Sequence, residues 1–87
     1  MRELLERLCA LNAVSSWEDE VRAFLLAEVE PHADMLRVDA LGNLIAWKKG
    51  RKHIGSKLLI TAHMDEVGLM IRQITDDGYL KFDTVGA

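Results

Sequence analysis

An apolar run ending in a histidine and two carboxylates constrains this chain more than any other feature. Residues 58–68 read Leu-Leu-Ile-Thr-Ala-His-Met-Asp-Glu-Val-Gly. Consecutive Leu58, Leu59 and Ile60 predict a central strand over residues 57–62, covered on both faces. Residues two apart in a strand share a face, so His63 and Asp65 lie together if extended geometry persists. A neutral imidazole is a good ligand for zinc or cobalt. A ligating histidine usually gives its other N–H to a carboxylate or carbonyl. His63 is therefore a candidate ligand and Asp65 a candidate partner behind it. His-x-Asp alone is a weak motif, and a structural histidine is its commoner meaning. The apolar strand before it strengthens the metal reading, because ligands gather at the carboxyl ends of strands in open α/β sheets. Glu66 stays open between ligand, base and solvated acid.

Everything upstream reads as scaffold. Leu4, Leu5, Leu8, Cys9 and Leu11 recur at helical spacing and predict an amphipathic helix over residues 2–12, with Cys9 on its buried face. Ser15 and Glu18 fit a capping box opening a second helix. Trp17, Val21, Phe24, Leu25 and Val29 form its apolar stripe, and Pro31 sets its end near Glu30. Glu18, Asp19 and Glu20 suit the positive end of the helix dipole better than a catalytic cluster. From Met35 the period falls to two, predicting a strand to Ala40 and a hairpin return over residues 44–48. Gly42 and Asn43 supply the turn, each able to take positive φ. Residues 67–74 and 79–82 predict a second hairpin across Asp77-Gly78. The expected order is two helices and then five strands. The last hairpin either completes one α+β domain or opens a second module near residues 66–68. Strand edges left without partners favour the second arrangement.

Composition excludes several functions. The 87 residues allow one domain at most, and a hydrophobic share of 49% excludes general disorder. A net charge of −3 gives no reason to expect nucleic-acid binding. Five basic residues, Lys48, Lys49, Arg51, Lys52 and Lys57, lack aromatic interleaving and read as an exposed loop. His32 and His53 read as surface histidines. No run approaches the ~20 apolar residues of a membrane span. One cysteine, Cys9, allows no intrachain disulfide, and the charged N-terminus is no signal peptide, so a cytoplasmic location is expected.

The run from Leu59 to Met70 resembles the signature of the M42 metallo-aminopeptidases, the glutamyl-aminopeptidase and tetrahedral-aminopeptidase group, some of which are named endoglucanase M. The resemblance extends over the Ser15–Arg22 segment, the Asp39–Asn43 turn and the hairpin to Gly86. It implies an α/β fold: the N-terminal part of a dinuclear metallopeptidase domain, with two helices and then mixed or antiparallel strands. An inserted PDZ-like β domain would begin soon after, giving peptidase domain at residues 1–66 and the start of the insertion at 67–87. The resemblance implies two divalent metal ions, zinc or cobalt, a peptide substrate and a homo-oligomer, with no nucleic acid or membrane partner. His63 matches the family's first metal ligand, and Asp65 the supporting aspartate counted among its catalytic residues. Ser16 stands where the family often has glycine, and Ala87 where a second glycine often follows Gly86.

The leading expectation is thus the N-terminal piece of a dinuclear aminopeptidase, inactive alone because most ligands are missing. The alternative is a non-catalytic interaction module, or a relic, that binds another chain through open strand edges. Glycan hydrolysis ranks last, because the neighbouring acids Asp65 and Glu66 face opposite ways in a continued strand.

Overall fold

The computed structural model describes residues 1–52 and 55–86. Helix α1 spans Arg2–Cys9 and α2 spans Asp19–Val29, with one 3-10 turn at Glu30–His32. Strands β1 (Met35–Val38) and β2 (Leu44–Trp47) form one antiparallel hairpin. Strands β3 (Gly68–Ile74) and β4 (Leu80–Val85) form another, and the two are separate sheets. The expected mixed α/β architecture of two helices and antiparallel strands is present. Among the described residues the expected five strands are four.

The missing strand is the one predicted as central. Residues 57–62 belong to no ladder, and Leu58, Leu59 and Ile60 are 86%, 84% and 82% exposed. A strand is defined by the neighbours that take its N–H and C=O groups. None of the described residues lies beside this stretch as a pairing strand, so hydrophobic side chains alone do not make it one.

The core is correspondingly thin: among the described residues only Ala13 and Val21 are buried. The surface of 8098 Å² exceeds the roughly 5,200 Å² expected of a closed monomer of this mass. The radius of gyration, 17.9 Å, exceeds the roughly 12 Å of a compact chain of this length. The helices meet through Arg7, whose guanidinium lies 4.7 Å from the Phe24 ring centroid and 3.7 Å from Glu28. No α1 side chain is buried, so Cys9 is exposed and not part of a packed face. Helix α1 also ends three residues before Asn12, the expected stop.

Arg22 ties α2 to the first hairpin. Its Nε donates to the Gly42 carbonyl at 2.6 Å, and another guanidinium nitrogen pairs with Asp19 at 2.7 Å. Gly42 takes φ +87°, as the turn demands, while Asn43 has no positive φ. Asn43 instead joins an Asp39 cap: the Asp39 carboxylate accepts from the Leu41 and Asn43 backbone N–H groups and the Asn43 amide. In the second hairpin Gly78 has φ +89°, and Thr75 closes the turn onto Tyr79 through backbone and hydroxyl. A bulge at Arg72 shifts the register between Ile71 and Gln73.

Candidate functional site

The turn between the helices places the candidate residues. Val14 and Glu66 form an isolated parallel bridge. The Glu66 N–H donates to the Ala13 carbonyl at 2.7 Å, and the Ser15 N–H donates to the Glu66 carbonyl at 3.2 Å. Glu66 Oε1 then accepts the N–H of buried Ala13 at 3.2 Å. Glu66, open in the sequence, thus anchors the backbone with both its main chain and its carboxylate. Beside it, a Cβ on Gly68 would fall 2.7 Å from Val14 Cγ2, so only glycine lets β3 start this close to the turn. Gly86 has φ +88°, and a Cβ there would lie 3.0 Å from Ser15 Oγ.

This anchor brings Ser15, His63 and Asp65 together across fifty residues of chain. The Ser15 hydroxyl donates to Asp65 Oδ2 at 2.5 Å. His63 Nδ1 lies 3.0 Å from Asp65 Oδ1 and 3.1 Å from the Asp65 carbonyl. Both are acceptors, so Nδ1 carries a proton, and in the neutral imidazole Nε2 then keeps its lone pair. The Ser15 hydroxyl foremost, and then the imidazole, hold the Asp65 carboxyl below the usual carboxylate range. The His63 side chain is 86% exposed and that of Asp65 38%. The pair expected from spacing is therefore present. Its order, hydroxyl to carboxylate to imidazole, is not that of a nucleophilic triad, in which the histidine contacts the hydroxyl.

Two expectations about the turn are corrected. Ser15 does not cap α2: its hydroxyl is committed to Asp65, and Glu18 accepts from the Ser16 N–H at 2.7 Å. Trp17 precedes the helix and is 70% exposed, outside the stripe assigned to it. Ser16 takes φ +74°, which explains physically why glycine suits that position. Ser15 is the residue that reading the sequence missed. Its local spacing fits a cap, and its partner is revealed only when Val14 pairs with Glu66.

Among the described residues, no three His, Cys, Asp or Glu side chains gather as a metal-binding group. His63 supplies one open nitrogen, and Asp65 and Glu66 are each turned toward another partner. His32 is exposed at the end of the 3-10 turn. His53, read as a surface histidine, lies outside the described residues.

The sequence profile of the M42 glutamyl aminopeptidases matches residues 42–87. A curated protein of Acetivibrio thermocellus, provisionally named an aminopeptidase, is 43% identical over 86 residues, 99% of this chain and 25% of its own. The crystal structure of an endoglucanase from Thermotoga maritima is similar at a TM-score of 0.79 and 44% identity, over 95% of this chain and 26% of that one. The TET aminopeptidase of the marine-sediment archaeon Thaumarchaeota archaeon SCGC AB-539-E09 is similar at 0.81 and 36%, over 99% and 23%. The chain spans about a quarter of the length of the curated relatives it matches.

Proposed function

The chain belongs to the M42 glutamyl aminopeptidase family, and from that premise we propose that it forms the first part of a metal-dependent aminopeptidase that removes N-terminal residues from peptides. One observation carries the reading: His63 turns Nδ1 to Asp65 and leaves Nε2 exposed. That is how a histidine prepared for a metal is oriented.

A divalent metal fits this donor. A neutral imidazole whose far nitrogen is hydrogen-bonded to a carboxylate suits zinc or cobalt. One ligand is too few to hold either ion against water, so the remaining ligands of a two-metal centre belong to residues outside this chain. The chemistry such a centre supplies when bound is activation of water and polarisation of the scissile carbonyl. Asp65 keeps His63 in the ligating tautomer and fixes its plane. Glu66 keeps the strand end against the interhelix turn.

On this reading residues 1–66 are the opening of the peptidase domain, and residues 67–87 begin an inserted PDZ-like β domain. The separation of the β3–β4 sheet from β1–β2 supports that division. A cytoplasmic homo-oligomer fits the lone Cys9 and the likeness to a TET aminopeptidase. The endoglucanase name of the Thermotoga maritima neighbour does not carry a glycosidase reading here. Asp65 bonds Ser15 and His63 while Glu66 bonds Ala13, so the two acids do not flank a common substrate position.

The test is hydrolysis of aminoacyl-nitroanilides with added zinc or cobalt. The intact polypeptide should turn over only with metal and lose activity to a chelator. Residues 1–87 alone should show none. Metal-independent turnover by the intact polypeptide, or turnover by the 87-residue chain matching a full-length relative, overturns the reading.

A further inference from the structure

We propose that Ser15 is a positioning residue for His63: its hydroxyl holds the Asp65 carboxylate in the orientation that keeps a proton on His63 Nδ1 and Nε2 open to a metal. This rests on the reading of His63 as a ligand and extends it to a residue on a different element of the fold.

The geometry carries the proposal. A carboxylate on a half-exposed aspartate rotates freely unless both oxygens are engaged. Here Oδ1 meets His63 at 3.0 Å and Oδ2 meets Ser15 at 2.5 Å. Ser15 is itself fixed through its backbone, where its N–H is bonded to the Glu66 carbonyl at 3.2 Å, and Gly86 leaves the space beside its Oγ that a Cβ would crowd at 3.0 Å. The hydroxyl thus transmits the position of the interhelix turn to the strand end. Without it, water competes for Oδ2 and the carboxylate swings. The imidazole then keeps only the Asp65 carbonyl, at 3.1 Å, as an acceptor for Nδ1–H, and part of the proton population redistributes to Nε2, which closes that nitrogen to a metal. A chemical role for Ser15 as nucleophile is excluded by its partner, since it meets a carboxylate and no imidazole.

Two readouts on the intact polypeptide test this. The first is the His63 tautomer in metal-free protein, read by long-range proton–nitrogen correlation at mildly alkaline pH. Wild type should show the proton on Nδ1, and Ser15→Ala a mixture with the Nε2–H form. The second is cobalt affinity, which should fall about tenfold in Ser15→Ala. In an Asp65→Asn background the same substitution should cost less than about twofold, because Ser15 acts through that carboxylate. A wild-type tautomer in Ser15→Ala overturns the proposal. So does an equal loss of affinity in both backgrounds, which marks a general structural role. If the tautomer shifts as expected but wild-type protein binds no cobalt through His63, the metal reading fails and the hold of Ser15 on His63 stands.

Discussion

The two halves of the stretch 58–68, one wholly apolar and one opening on two carboxylates, have opposite fates. Leu58, Leu59 and Ile60 are exposed and unpaired, while residues 65–68 are fastened to the interhelix turn. The difference lies in partners. Val14 offers Glu66 a backbone bridge, Ala13 offers Glu66 a donor and an acceptor, and Ser15 offers Asp65 a hydroxyl. Nothing described offers residues 58–60 the same. Order at the site therefore comes from three residues of turn, and hydrophobicity contributes little to it within this chain.

The strongest way to break the comparison is to push the fastened half away. Gly68→Ala should destabilise the intact polypeptide by about 1–3 kcal/mol in denaturant melts, because the new Cβ overlaps Val14. Adding Val14→Ala should recover much of that loss, and a neutral Gly68→Ala would show that the turn does not grip β3. Glu66→Ala removes the acceptor of the buried Ala13 N–H and should cost about 1 kcal/mol. Hydrogen exchange at Ala13 should rise with it, whereas Glu66→Gln, which keeps an acceptor oxygen, should retain protection.

Smaller changes sharpen the contrast. Ser16→Gly should stabilise by about 0.5–1 kcal/mol, since it relieves a left-handed backbone at some entropic cost. Leu59→Ser should change the melting of residues 1–87 by less than about 0.5 kcal/mol. The same change should cost about 2 kcal/mol or more in the intact polypeptide if the free half there becomes a covered strand. The smallest effect belongs to the self-contained β1–β2 turn. The Asn43 side chain and backbone, and then the Leu41 N–H, hold the Asp39 carboxyl below its usual range. Its contribution is present above the unfolded value near about 3.9 and fades as pH falls through the lowered folded value. An NMR pH titration should show the Leu41 and Asn43 amides losing protection in that lower window, while the Glu66 amide stays protected there. Joint loss would merge the two regions into one unit.

What the sequence disclosed follows the same division. Helical spacing, the turn at Asp39 to Asn43 and the Asp77-Gly78 hairpin are local, and all are present at nearly the expected places. His63 and Asp65 are two residues apart, so their closeness was legible from spacing, although the strand expected to align them is absent. Ser15 is fifty residues from Asp65, and its spacing to Glu18 imitates a cap, so its true partner was hidden. The strand over residues 57–62 was misread for a related reason. An apolar run states a demand for cover, and the neighbours that meet it lie elsewhere. Cys9 repeats the lesson on a helix, where correct periodicity did not guarantee burial.

The most direct test of the central claim is metal-edge anomalous diffraction from zinc-loaded crystals of the intact polypeptide. The account predicts zinc about 2.0–2.1 Å from His63 Nε2, with Nδ1 still bonded to Asp65. Zinc bound through Nδ1, or at a site that leaves His63 unligated, would contradict it.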